Sequence, residues 1–300
     1  MILGAGGMLG NSFVARIDLL KKNFSPIYFA YHSSPKRFKD KIVRPIVFDA
    51  EDKKTVGKLL SKMNPNVVIN CAAMTIVEDC EKNPDLAYKL NAEFPEILAK
   101  WTAKYGKKLI HYSTDSVFDG KKGDYTEKDK SRPLNVYAKS KLKGEQSVLK
   151  TDPNALVLRT NIIGIRGKKP YPLTEWMLRE LAAGKKIPGF TDVTFAPLFT
   201  KDLVDLTILA IEKKLTGLYH LNAKNPVSKY RFAKLLAGEF GYNPNLIISS
   251  KSDQILSTPR PLKTYLNSSA FVNKTKVSLP TVNQSVAHLH QATKSDKFHL

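Results

Sequence analysis

Tyr137 and Lys141 stand four residues apart in a stretch with helix-like apolar spacing, so the two side chains share a helix face. A phenol and an ammonium so placed suit proton transfer to a carbonyl. The tyrosine gives its proton to the oxygen as hydride reaches the carbon. A nearby ammonium eases that step by stabilising the phenolate, since a free phenol titrates at about 10. The lysine can also bind a nicotinamide ribose. The spacing alone is cheap: Tyr230 and Lys234 share it, and a core-facing ring beside a solvated amine accounts for that pair. What sets Tyr137 apart is upstream, where His111-Tyr112-Ser113-Thr114-Asp115 ends a β-rich run. Open α/β sheets carry their sites at the carboxyl ends of strands, and a hydroxyl from Ser113 or Thr114 could bind the same carbonyl as Tyr137. Ser131-Arg132-Pro133 then offers a cap-like start ahead of the helix.

A second constellation opens the chain. Gly4-Ala5-Gly6-Gly7-Met8-Leu9-Gly10 lies between a strand and a helix, with the spacing GxxGxxG at Gly4, Gly7 and Gly10. The first glycine permits a tight turn, the second lets backbone approach a pyrophosphate, and the third lets helix and strand pack closely. The helix start at Met8 and Leu9 presents free N–H groups and the positive end of the helix dipole. Only Met1–Leu3 precede this loop, a short first strand. The second strand ends in Tyr31-His32-Ser33-Ser34-Pro35-Lys36-Arg37, with no acid before Asp40. An acid there would bind the adenosine ribose hydroxyls of NADH. His32, Ser33 and Ser34, with charge from Lys36 or Arg37, favour the 2′-phosphate of NADPH, and NADH is the weaker alternative.

The elements that must position these groups follow from periodicity. Strands are expected at Met1–Leu3, Pro26–Tyr31, Val43–Phe48, Asn66–Cys71, Lys108–Tyr112 and Ala155–Thr160, with helices at Leu9–Leu20, Thr55–Met63, Pro84–Tyr105 and Val136–Leu149. This alternation predicts an α/β fold, a Rossmann doubly wound parallel sheet with right-handed crossovers. After Thr160 the loops lengthen. Helices at Leu173–Ala183, Asp202–Lys213 and Ser228–Phe240 (Ser228 as N-cap) and a strand at Gly217–Asn222 suggest a smaller C-terminal substrate-binding lobe. The expected division is a nucleotide-binding domain over residues 1–160, joined by 200–222, and a substrate lobe from 161–199 and 223–300.

Composition bounds the partners. The chain of 300 residues is 42% hydrophobic and 25% charged, ordinary for a globular protein. No run approaches the roughly 18 to 20 apolar residues that span a bilayer, and no signal peptide is evident, so a cytoplasmic location without membrane insertion is expected. Cys71 and Cys80 lack metal-ligand spacing; two reduced thiols and no metal are expected. The net charge of +21 is spread along the whole chain without a recognition motif, so a solvated basic surface is expected rather than a nucleic-acid site.

Several motifs together resemble a known family: Gly4–Gly10, Asn70-Cys71-Ala72-Ala73, Ser113 through Gly120, Pro133-Leu134-Asn135-Val136-Tyr137-Ala138-Lys139-Ser140-Lys141, Leu158-Arg159-Thr160, Gly217 through Leu221, and Pro259-Arg260-Pro261. The set resembles the extended short-chain dehydrogenases/reductases and, within them, the dTDP-4-dehydrorhamnose reductase (RmlD-like) group, over nearly the whole chain. The resemblance implies a catalytic trio of Thr114, Tyr137 and Lys141. It implies that Ala72 and Ala73 line the cofactor channel, that Asp49 lies near adenine, and that Thr75, Ser116 and Arg260 meet the substrate, with Arg260 on a diphosphate. The implied activity is NADPH-dependent reduction of a nucleotide-linked 4-keto-6-deoxy sugar, with a homodimer open. Two other readings accompany it: an extended short-chain epimerase or reductase for another nucleotide sugar, and a non-catalytic NADP-binding regulatory subunit like the β subunit of methionine adenosyltransferase. The chain departs from the family pattern near the sugar pocket, at Ser116, at Asn161-Ile162-Ile163-Gly164 and at Asp192-Val193-Thr194-Phe195-Ala196-Pro197.

Overall fold

The structure is a computed structural model that describes residues 1–33, 35 and 38–295. Six strands of the first half are β1 (Ile2–Leu3), β2 (Ile27–Tyr31), β3 (Val43–Val47), β4 (Val67–Asn70), β5 (Lys108–Thr114) and β6 (Leu156–Thr160). With Gly217–Leu221 they form one seven-stranded sheet, in the order Gly217–Leu221, β6, β5, β4, β1, β2, β3. Every neighbouring pair is parallel. The order reverses beside β1, which places a crevice at the carboxyl ends of β1 and β4.

Strand side chains alternate between two faces. Ile2, Phe29, Ile69, Ile110 and Leu158 join a core that includes Phe13 and Leu203 from the Met8–Ala15 and Thr200–Glu212 helices. Leu3, Ala30, Val68, Leu109 and Val157 face the other way, against Leu60, Phe94, Leu98 and Val148. Both faces are therefore buried, which explains why these strands read as apolar runs.

The remaining chain forms three two-stranded pairings: Ile162–Ile163 with Leu198–Phe199, Ile187–Phe190 with Ile247–Ser250, and Thr194–Phe195 antiparallel to Val227–Ser228. The helices here are Leu173–Ala182, Lys229–Phe240, Ser269–Thr275 and Val282–Ser295. Ser228 caps its helix by accepting the Arg231 N–H at 3.1 Å. Met177, Phe232, Phe271 and Leu289 pack in the same core as Phe29 and Ile110, so these helices and the sheet share one interior.

Several elements differ from expectation. The first helix breaks at Arg16, whose N–H is shared by the Ser12 and Phe13 carbonyls in a tightened turn, while its side chain pairs with Asp205 at 2.8 Å. Strand β5 runs on to Thr114. The stretch 84–105 is interrupted by a π-helical segment, Lys89–Glu93, between Pro84–Tyr88 and Phe94–Tyr105. The helices Val77–Lys82, Ser269–Thr275 and Val282–Ser295 are additional; in the last, Val282, Val286 and Leu289 supply a buried stripe. Among the described residues no helix is long and apolar enough to cross a membrane.

Candidate active site

The glycine loop joins β1 to the Met8–Ala15 helix. Gly4 sits at φ +80°, and a Cβ there would come 2.7 Å from the Ala72 nitrogen, so the turn and the loop after β4 touch backbone to backbone. A Cβ at Gly10 would overlap the Gly4 carbonyl oxygen. The N-cap is Gly7, with no side-chain cap, and the first intrahelical bond runs from Asn11 N to Gly7 O. The Met8, Leu9 and Gly10 amides ahead of it have no intrahelical acceptor and are available to an anion. The Leu9 side chain itself lies in the core, so only its backbone serves the loop.

His32 and Ser33 follow β2 and are exposed, beside a Tyr31 ring that lies 3.6 Å from where a Gly6 side chain would begin. Ser34, Lys36 and Arg37 lie outside the described residues. Asp40, the first acid, is held elsewhere, by Lys21 at 2.7 Å and the Ile42 N–H. Asp49 is exposed past β3 and accepts the Glu51 N–H at 2.9 Å. Ala72 and Ala73 are half-buried after β4, and Thr75 is exposed.

Thr114 ends β5, and Tyr137 and Lys141 lie in the Val136–Thr151 helix, whose N-cap Asn135 accepts the Ala138 N–H at 2.9 Å. The Asn135 amide also donates to the Pro259 carbonyl at 3.1 Å, which brings Arg260 to the same end of the helix. A buried ion pair holds the far side: Arg159 of β6 engages Glu145 through Nε at 2.9 Å. Their side chains are 5% and 2% exposed, and Arg159 also stacks on Phe118 at 5.0 Å.

The Thr114 hydroxyl faces that of Tyr137 and donates to Asp115 at 3.1 Å. Burial pushes the Tyr137 phenol up to about 12, with the Thr114 hydroxyl and the Arg260 charge pulling the other way. Asp115, 2% exposed, also accepts from Ser116 Oγ at 3.2 Å and Asn161 Nδ2 at 2.7 Å. Arg260 reaches across to Glu78.

The Lys141 ammonium donates to the Tyr112 carbonyl at 2.5 Å. Burial lowers Lys141 to about 8.

Sequence reasoning missed Asn91. From the π-helical segment its amide donates to the Met74 carbonyl at 2.9 Å and to Ser140 Oγ at 3.0 Å, and its oxygen accepts the Met74 N–H at 2.9 Å. It ties the loop after β4 to the catalytic helix. Cys71 and Cys80 are free thiols, both pushed up by burial.

The sheet order and the glycine loop define a dinucleotide-binding α/β fold of the extended short-chain dehydrogenase/reductase class. The chain belongs to the RmlD substrate binding domain family, whose model matches residues 1–295. It is 33% identical over 296 residues to the Haloferax volcanii protein named probable low-salt glycan biosynthesis reductase Agl14, covering 97% of each chain. It is also 33% identical over 270 residues to the dTDP-4-dehydrorhamnose reductase of Mycobacterium tuberculosis, covering 87% of this chain and 81% of the relative. The crystal structure of a dTDP-4-dehydrorhamnose reductase ortholog from Clostridium acetobutylicum superposes with a TM-score of 0.81 at 27% identity, covering 98% of each chain.

Proposed function

We propose that this protein is an NADPH-dependent reductase of a nucleotide-linked 4-keto-6-deoxy sugar, acting as dTDP-4-dehydrorhamnose reductases do. Family membership supports the reaction class. The observation that carries the reading is the Tyr137 hydroxyl facing that of Thr114 at the carboxyl end of β5, with the Lys141 ammonium buried on the same helix.

The residues present fit a dinucleotide. The cradle at Gly4 and Gly10 excludes side chains, the Met8–Gly10 amides suit a pyrophosphate, and no free acid awaits a 2′-hydroxyl at the end of β2. Lys141 is the candidate for the nicotinamide ribose. Bound there, a reduced nicotinamide supplies the hydride. Thr114 and Tyr137 together orient the substrate ketone. Tyr137 keeps its proton at neutral pH and gives it to the oxygen as negative charge develops. Thr75, Ser116 and Arg260 are the candidate substrate contacts, and the elements after Thr160 are the candidate substrate lobe.

A panel of nucleotide-linked 4-keto-6-deoxy sugars, with NADPH oxidation followed by absorbance, tests the reading. Turnover of at least one is expected. Absence of oxidation with every member, from protein that binds NADPH, would overturn it in favour of a regulatory subunit.

A further inference from the structure

Lys229 is the first residue of the Lys229–Phe240 helix, a position where the helix dipole favours an acid and opposes a cation. Its backbone N–H is held by the Val193 carbonyl at 2.9 Å. The side chain passes between two rings, with Nζ 5.8 Å from the Phe190 centroid and 6.0 Å from that of Phe195. These are the outer limit of a cation–π contact and cannot replace a hydration shell. No described residue gives this ammonium a hydrogen-bond acceptor.

The charged groups that face it are Asp115, Asp192 and Arg260. Both acids are already engaged. Asp192 accepts the Ser252 N–H at 3.1 Å and its hydroxyl at 2.8 Å. Asp115 accepts from Thr114, Ser116 and Asn161. Arg260 repels Lys229 and is partly neutralised by Glu78. Burial and this repulsion bring the Lys229 ammonium down to about 8. Lys229 is half-buried, and its ammonium, set against a helix dipole and a second cation with no acceptor among the described residues, is free to meet an anion.

We infer that Lys229 is a substrate-binding residue whose ammonium binds a phosphate oxygen of the nucleotide-linked diphosphate, sharing that group with Arg260. The inference rests on the proposed nucleotide-sugar reading and adds the second cation. A diphosphate diester carries about two negative charges, and Arg260 alone, paired with Glu78, is a poor match for them. The helix start from which Lys229 projects favours the same anion.

Calorimetric titration of dTDP, UDP and GDP into NADP+-saturated protein tests this. Lys229→Met should weaken the preferred nucleoside diphosphate about 10- to 100-fold, the range of one hydrogen bond to a charged group. NADP+ affinity should stay unchanged, and Lys229→Arg should restore most of the loss. In turnover, the Met variant should raise the KM for the sugar nucleotide far more than it lowers kcat. Should Lys229→Met not fold, Lys229→Gln carries the same expectation. Wild-type affinity in a folded Met or Gln variant would overturn the inference. A wild-type protein that binds none of the three nucleotides would instead overturn the nucleotide-sugar reading itself, and this inference with it.

Discussion

The Lys141 ammonium donates to the main-chain carbonyl of Tyr112 at 2.5 Å and so fastens the catalytic helix to β5 two residues before Thr114. Tyr137 and Thr114 come from different elements, and this bond ties the two elements together.

Lys141 also sets a pH limit. Its pKa, lowered by burial to about 8, leaves the ammonium charged at neutral pH and discharges it as pH rises through 8. Tyr137, at about 12, stays protonated throughout that range. kcat/KM should therefore fall above about pH 8, approaching tenfold per pH unit. Lys141→Met should lower activity and remove that descending limb; a limb that persists in the variant would assign it to another group.

Tyr137→Phe removes the proton donor and leaves the ring in place. Turnover should fall by about 100-fold or more, the usual weight of general acid catalysis. NADPH binding, read by fluorescence, should change little.

Gly10→Ala pushes a methyl into the Gly4 carbonyl. The loop must move, so NADPH affinity should drop by at least about tenfold, with a lowered Tm. A variant with wild-type affinity would show that this loop does not hold the cofactor.

Cofactor choice turns on the end of β2. Asp40 is committed to Lys21, and His32 and Ser33 offer donors without negative charge. kcat/KM should be higher for NADPH than for NADH. The reverse preference would exclude a 2′-phosphate site here.

Glu145→Ala strands the buried Arg159 guanidinium. Breaking such a pair from one side costs about 3–5 kcal/mol, measurable by chemical denaturation. The loss should exceed that of Lys100→Ala, whose partner Glu96 lies on an exposed helix surface.

The sheet was legible because strands buried on both faces are apolar runs, and the alternation with helices leaves few topologies. Gly4–Gly10, Thr114, Tyr137 and Lys141 could be singled out as candidates because each sits at the end of such a strand or on the helix beside it. What escaped depended on contacts distant in sequence. The Tyr112 carbonyl that takes the Lys141 proton donor is a backbone atom, invisible to residue type. Asn91 reads as an ordinary polar helix residue until Met74 and Ser140 surround it. Lys229 did carry a local signal, a cation directly after an N-cap serine, where an acid is the usual choice.

The π-helical turn at Lys89–Glu93 makes the site sensitive to chain length as well as to residue type. Deleting one residue there would restore a regular helix and leave the turns on either side close to their present phase, so the change would fall on the wide turn itself. Asn91 sits in that wide turn, so closing it would disturb the amide held between Met74 and Ser140 and loosen the tie between the loop after β4 and the helix that carries Tyr137. An alignment gap at this point would therefore mark a relative that fastens the loop after β4 by other contacts.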